Sequence, residues 1–138
     1  MDQKLLNVAI LASGSGSNLE AILRECAEGT IAAKPVAVLS NNPDAYALER
    51  AKMYGVPAFV ADHREFKSRK EHEAKIIELL DPFEPGLIAL AGYMRILTPH
   101  LIERFHGAFS PKLPGVMNIH PADTRQYQGA HGYEFAMG

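Results

Sequence analysis

Asn118 and His120, near the end of the chain, are residue types that can act on a carbonyl group. They lie two residues apart, and the apolar run 116–119 predicts a β-strand. Because side chains alternate along a strand, both would project from one face. An amide can stabilise a developing oxyanion, and an imidazole that titrates near neutral pH can transfer a proton. Alone, the pattern is more typical of a histidine satisfied in the core, but its place at a strand end favours a catalytic pair.

A glycine-rich loop near the start of the chain could bind an anion. It comprises Gly14, Ser15, Gly16, Ser17 and Asn18. A predicted helix follows the loop, so unpaired backbone amides and the helix dipole would favour a negative group there. Leu19 replaces the third glycine of a dinucleotide-binding fingerprint and no P-loop lysine follows, which favours a single phosphate. A plain strand-to-helix turn explains the loop equally well.

Residues 92–97 (Gly-Tyr-Met-Arg-Ile-Leu) place an arginine among apolar side chains directly after a buried run. Arg95 in such surroundings could bind a carboxylate or line a pocket for a flat aromatic ligand. The segment alone favours a simpler interpretation, in which its apolar residues belong to the core and Arg95 reaches the surface. It becomes a candidate binding segment in combination with the other two.

Metal binding and cysteine chemistry are not expected from this sequence. The remaining histidines show no metal-ligand spacing, and neither a C-x-x-C nor an H-E-x-x-H motif occurs. They are His63, His72, His100, His106 and His131. The one cysteine, Cys26, falls on the apolar face of the first predicted helix, which predicts a buried and unreactive thiol.

Short apolar runs alternate with longer amphipathic segments and must form the elements that position these residues. The runs at 5–12, 35–40, 56–60, 87–91 and 116–119 predict strands, and helical spacing or helix-capping residues between them predict helices. The first helix is predicted to end at Gly29 and the second, over 44–54, at Gly55. The S-x-x-E sequence at 68–71 predicts a capping box for the third, and Thr98-Pro99 a capped start for the fourth. The alternation predicts an α/β fold, a Rossmann-like, doubly wound and mostly parallel sheet with helices on both faces. In such sheets ligands bind at the carboxyl ends of the strands, where all three candidate segments lie.

Length and composition limit the classes of protein that the sequence can represent. The chain has 138 residues, enough for a single domain over 1–138, with 47% hydrophobic and 22% charged residues, as in folded globular proteins. Its net charge of −2 argues against nucleic acid or an anionic membrane as a partner. One cysteine excludes an internal disulfide, and the apolar runs are too short for a signal peptide or a membrane span. We expect a cytoplasmic protein.

Four segments of the sequence together resemble one family. They resemble the glycinamide ribonucleotide formyltransferases of the folate-dependent formyltransferase superfamily, in the same order and over almost the whole chain. The motifs at 92–97 and 118–121 are specific to that superfamily. The glycine-rich loop narrows the resemblance to this branch and to the related formyltetrahydrofolate hydrolases. The segments are 13–22 (SGSGSNLEAI), 40–41 (SN), 90–97 (LAGYMRIL) and 118–121 (NIHP).

The resemblance implies transfer of a formyl group from 10-formyltetrahydrofolate, the co-substrate, to the amine of glycinamide ribonucleotide in purine biosynthesis, without a metal. It implies that loop 14–18 binds the ribonucleotide phosphate, that Asn118 polarises the formyl oxygen, and that His120 assists stabilisation and proton transfer. It also assigns a folate pocket, with Arg69 near the glutamyl tail. The other residues of that pocket are Met94, Arg95, Ile96 and Leu97.

The chain departs from the family after Pro121, where Ala122-Asp123-Thr124-Arg125 replaces the usual Ser-Leu-Leu-Pro. It also ends at Gly138, before the segment that carries the family's catalytic aspartate, so we expect a C-terminally truncated form with weak or no turnover. Two alternatives follow: a formyltetrahydrofolate hydrolase-like enzyme with water as acceptor, and a non-catalytic phosphate- or nucleotide-binding module. A sheet that ends after five strands leaves an open edge, which is compatible with a homo-oligomer.

Overall fold

Five parallel strands form one sheet in the computed structural model, which describes residues 5–94, 97–106 and 115–118. The strands are β1 (Leu6–Leu11), β2 (Ala33–Ser40), β3 (Ala58–Val60), β4 (Leu87–Leu90) and β5 (Val116–Asn118). Their order across the sheet is β3-β2-β1-β4-β5, which is the order of the Rossmann fold. The predicted α/β class and parallel sheet are therefore confirmed, and the direction of winding reverses between β1 and β4.

Four helices connect the strands: α1 (Ser17–Ala27), α2 (Ala47–Met53), α3 (Arg69–Leu80) and α4 (Pro99–Phe105). Helices α1 and α2 end as predicted, because Gly29 and Gly55 adopt positive φ angles of 83° and 72° just beyond them. Helix α2 begins three residues later than the predicted 44–54. The side chain of Asn42 accepts a hydrogen bond from the Asp44 amide at 3.0 Å, which forms a turn before the helix.

The capping residues of α3 follow the predicted pattern in part. The Ser68 hydroxyl accepts a hydrogen bond from the Glu71 amide at 3.1 Å, as a helix cap should. The Glu71 carboxylate, however, accepts from the Lys67 amide at 3.2 Å and not from Ser68, so the predicted reciprocal capping box is only half formed.

Alternation along β1 builds a separate apolar core on each face of the sheet. Val8 and Ile10 face one core together with α1 and α2, whereas Ala9 and Leu11 face the other together with α3 and α4. The predicted coverage of both faces is thus confirmed. No helix in the described ranges is long and apolar enough to cross a membrane.

Candidate functional site

Ser13 joins the carboxyl ends of three strands. It follows β1, and its hydroxyl donates a hydrogen bond to Asn41 Oδ1, beyond β2, at 2.6 Å. The same hydroxyl accepts from the Met94 amide, beyond β4, at 2.7 Å, and the Ser13 amide donates to the Gly92 carbonyl at 3.2 Å. The structure therefore brings the glycine-rich loop and the start of segment 92–97 together, as the sheet topology predicted.

The glycine-rich loop turns directly into α1 through Gly16, whose φ of 81° belongs to the left-handed region. A Cβ at this position would lie 2.7 Å from the Cα of Ala47, so neither the backbone angle nor the space admits a side chain. The first-turn amides of α1 have no partner within the helix, and no side chain caps them among the described residues. The loop thus presents backbone donors at the positive end of a helix dipole.

Helix α2 holds the carbonyl groups of this loop. The Ala47 amide donates to the Gly14 carbonyl at 3.1 Å, and Arg50 Nε donates to the Ser15 carbonyl at 2.7 Å. The Arg50 guanidinium also forms an ion pair with Glu20 of α1. Two loop carbonyls are therefore bonded to α2, which leaves the amides as the groups that a ligand would meet.

Asn118 ends β5 at the same edge of the sheet. It pairs with Leu90 of β4, which in turn pairs with Leu11 of β1, so the three strands end in register. Two strand spacings place Asn118 about 10 Å from β1. Its half-buried side chain shares a face with Val116, two residues earlier. His120 lies outside the described residues.

The predicted folate-binding residues lie in three different environments. Met94, whose amide is bonded to Ser13, is 79% exposed. Leu97 is half-buried and packs against the core of α3 and α4. Arg69 is the exposed first residue of α3, and its side chain makes no hydrogen bond or ion pair with any other residue in the described part of the chain. Arg95 and Ile96 lie outside the described residues.

Three buried or half-buried polar residues to which the sequence analysis assigned no individual role support the site. Asn41 Nδ2 lies 3.2 Å from His63 Nδ1, and because Asn41 Oδ1 accepts from Ser13, the amide must donate to an unprotonated Nδ1. Glu73 of α3 accepts hydrogen bonds from the Thr98 amide and hydroxyl. A charged residue among the apolar positions of α3 was the signal in the sequence for Glu73.

Two side chains, one beyond β3 and one in the last turn of α1, have shifted pKa values. Hydrogen bonds from the side chain and backbone of Arg64 lower the pKa of Asp62, beyond β3, to about 2. Burial, with a smaller contribution from Glu25, raises the pKa of the Cys26 thiol, which is half-buried in α1. No group of three or more potential metal ligands occurs within the ranges that the structure describes.

Comparison with known proteins identifies the family. The sequence profile described as formyl transferase matches residues 6–138. The chain is 35% identical to the phosphoribosylglycinamide formyltransferase of Escherichia coli over 132 residues, which are 96% of this chain and 59% of that protein. It is 39% identical to the Haemophilus influenzae protein of the same name over 130 residues, 94% of this chain and 58% of the relative. The chain thus spans about three-fifths of the length of these relatives.

Solved structures agree with the sequence comparison. The phosphoribosylglycinamide formyltransferase of Brucella melitensis superposes with a TM-score of 0.77 at 35% identity, covering 94% of this chain and 64% of that one. The Coxiella burnetii protein superposes with a TM-score of 0.74 at 35% identity, covering 86% and 52%. Fold, sequence profile and relatives agree, and the chain belongs to the formyl transferase family.

Proposed function

We propose that this protein transfers a formyl group from 10-formyltetrahydrofolate to the amine of glycinamide ribonucleotide in purine biosynthesis. Family membership and relatives named phosphoribosylglycinamide formyltransferase support the reaction class and the acceptor. The observation that carries the proposal is the set of hydrogen bonds at Ser13, because they hold an anion-binding loop beside the segment assigned to the folate. We also propose a cytoplasmic location and a single domain over residues 1–138.

Loop 14–18 binds the phosphate of the ribonucleotide. The first-turn amides of α1 donate to the phosphate oxygens, and the helix dipole adds a favourable field. Helix α2 supports this role, because its bonds to the Gly14 and Ser15 carbonyls keep carbonyl oxygens away from an incoming anion. The loop contributes no lysine, as expected for a monophosphate ligand.

Segment 92–97 binds the folate beside the loop. The residues assigned to the folate are Met94, Arg95, Ile96 and Leu97, and Arg69 is assigned to the carboxylates of the glutamyl tail. The exposed side chain of Met94 supports a contact with an apolar ring system, since thioethers pack adaptably against aromatic surfaces.

Asn118 and His120 act on the formyl group. The ribonucleotide amine attacks the formyl carbon, a C–N bond forms, and the carbonyl electrons move onto the oxygen. Asn118 donates a hydrogen bond to this oxyanion. The bond from carbon to the folate nitrogen then breaks, and His120 assists transfer of the proton from the attacking amine to that leaving nitrogen. Because both reactants are bound side by side, orientation supplies much of the rate.

An isotope-transfer assay tests the proposal. The protein is incubated with folate labelled in the formyl carbon, with and without glycinamide ribonucleotide, and label is followed into formylated ribonucleotide and into free formate. We expect label in the ribonucleotide at a low rate, in agreement with the weak turnover expected from the sequence. Label in formate alone supports a hydrolase, and ribonucleotide binding without transfer supports a binding module; both outcomes contradict the proposed function.

Replacing Asn118 by alanine provides the variant arm of the assay. Loss of one oxyanion donor lowers the transfer rate by about 100-fold to 1,000-fold in comparable sites. Asn7 offers a matched control near the amino end of β1, away from the site, where its side chain donates to the Phe83 and Glu84 carbonyls. Asn7→Ala should leave the rate of transfer by folded protein unchanged.

A further inference from the structure

Glu73 is a buried acid that the proposed reaction does not use. It lies in α3, where only 1% of its surface is exposed. One carboxylate oxygen accepts a hydrogen bond from the Thr98 amide at 2.7 Å, and the other accepts from the Thr98 hydroxyl. Burying a carboxylate is unfavourable unless hydrogen-bond donors reach it. Because both donors belong to Thr98, they fix the position of Thr98 relative to the Glu73 carboxylate.

Thr98 follows directly on segment 92–97 and precedes Pro99, the first residue of α4. A threonine at this position would normally cap the helix with its own hydroxyl. No such cap bond forms here, and the hydroxyl donates to Glu73. The Thr98 side chain therefore connects the residue that follows the segment to α3, and it does not cap α4.

The segment is consequently anchored at both ends by different elements. Its beginning is bonded to Ser13, beside the glycine-rich loop, through the Gly92 carbonyl and the Met94 amide. Thr98, directly after its end, is bonded to Glu73 on the face of the sheet covered by α3 and α4. The Ser13 anchor belongs to both proposed ligand sites, whereas the Glu73 anchor reaches the folate segment alone.

We propose that Glu73 is a positioning residue for the folate site: its carboxylate holds Thr98, and through it segment 92–97, in the conformation that binds folate. The proposal rests on the proposed function, since that function assigns the segment to the folate. It predicts that substitution of Glu73 changes the affinity for one of the two ligands only. Loss of the Glu73 anchor weakens folate binding and leaves binding of the ribonucleotide phosphate at loop 14–18 intact.

Calorimetric titration of the full chain with tetrahydrofolate and with glycinamide ribonucleotide tests this selectivity. For Glu73→Ala we expect about tenfold to hundredfold weaker folate binding, the scale of loss that misplacement of a binding group causes, and unchanged ribonucleotide binding. Glu73→Gln should restore most of the folate affinity, because its amide oxygen still accepts from the Thr98 amide. Thr98→Val, which removes one donor and keeps the buried acid, should lie between the two.

Ile76→Val is the matched control for general damage to the helix. Ile76 is fully buried in α3, one turn after Glu73, and its shortening loosens the same core. A folate affinity that falls equally in Ile76→Val and Glu73→Ala, or a ribonucleotide affinity that falls with it, overturns the proposal. Glu73→Gln behaving like Glu73→Ala overturns it as well.

Hydrogen exchange of the free protein separates this proposal from the proposed function. Glu73→Ala should accelerate exchange of the Leu97 and Thr98 amides and leave those of α1 unchanged. If the unsubstituted chain binds ribonucleotide and no folate, the proposed function fails. Unchanged exchange at Thr98 in Glu73→Ala overturns the anchoring role of Glu73 whatever the ligand results.

Discussion

Gly16 is fixed by its backbone angle and by its neighbour at the point where β1 leads into α1. An alanine there would need a φ of 81° and would place its Cβ 2.7 Å from the Ala47 Cα. The angle alone costs about 1–2 kcal/mol, and the overlap adds a similar amount. We therefore expect Gly16→Ala to lower the free energy of unfolding by at least about 2 kcal/mol, measured by urea denaturation, and to weaken phosphate binding.

Gly14 provides the control in the same loop. Its φ is not positive, and a Cβ there would meet nothing within 4 Å. Gly14→Ala should change the free energy of unfolding by less than about 0.5 kcal/mol. Equal losses in the two variants would show that the loop, and not the contact with α2, sets the cost.

Asp62 gives the protein a pH dependence that can be assigned to one pair. Its pKa in the folded protein is about 2, below the ordinary 3.8, so its contribution to stability is complete above pH 3.8 and is lost as the pH falls towards 2. We expect the stability gap between the unsubstituted protein and Asp62→Asn to shrink over that interval in urea denaturation at several pH values. A gap that stays constant from pH 6 to about 2.5 would contradict the assignment.

Candidate site residues could be chosen from the sequence where their types are unusual at their positions. The glycine-rich loop follows the apolar run that predicts β1, and Asn118 lies within the run that predicts β5. The supporting contacts of Asn41 and Glu73 could not be predicted, because they depend on which side chain from a distant element faces them. A polar residue on an apolar helix face indicates a buried partner without identifying Thr98.

At the scale of elements, β5 depends on close contact with the end of α4. Gly115 immediately precedes β5, has a φ of 87°, and a Cβ there would lie 2.1 Å from the Phe105 carbonyl oxygen. Its own carbonyl accepts from the Ile88 amide at 2.7 Å, which joins β5 to β4. We expect Gly115→Ala to displace β5 and to accelerate hydrogen exchange at Ile88, with a stability loss above about 2 kcal/mol.

Gly29→Ala isolates the part of this loss that comes from the backbone angle. Gly29 has a φ of 83°, and a Cβ there would meet nothing within 4 Å. Its substitution should cost about 1 kcal/mol and leave exchange at Ile88 unaltered. If both variants lose the same stability, the contact with Phe105 contributes nothing.

Element boundaries were predictable where local residues determine them. The glycines after α1 and α2 and the Ser68 cap of α3 act within one turn, and their helices end or begin as predicted. The start of α2 depends on a turn formed by the Asn42 side chain, which competes with the helix for the same backbone amides. The Thr98 side chain likewise bonds to Glu73 of α3 and does not cap α4.

At the scale of the whole molecule, the sheet divides the described interior into two cores, and no described side chain belongs to both. Ile10 belongs to the core under α1 and α2, and Ile76 to the core under α3 and α4. Each Ile→Val change should cost about 0.5–1.5 kcal/mol. Because the sites are separated by the sheet, we expect the double variant to equal the sum of the two losses within about 0.5 kcal/mol in urea denaturation. A larger deviation would show that strain passes through the sheet.

The strand order was the part of the fold that the sequence left open. Alternating apolar and amphipathic segments predict a parallel α/β sheet, and the rule for its carboxyl edge locates the site. Which strands are neighbours depends on packing between segments far apart in the chain. In the structure β4 lies beside β1, and this adjacency places the Met94 amide within reach of Ser13.

The bonds of Ser13 to Gly92 and Met94 mean that the two proposed ligands contact a common rigid unit. A ligand that restricts the motion of one segment also orders the other, so the second ligand binds with a smaller loss of conformational entropy. Each ligand should therefore raise the affinity of the protein for the other. Thermodynamic reciprocity requires the enhancement to be the same factor in both directions. Titration of ribonucleotide with and without saturating folate should reveal this cooperativity, and Ser13→Ala, which removes the shared hydroxyl, should diminish it.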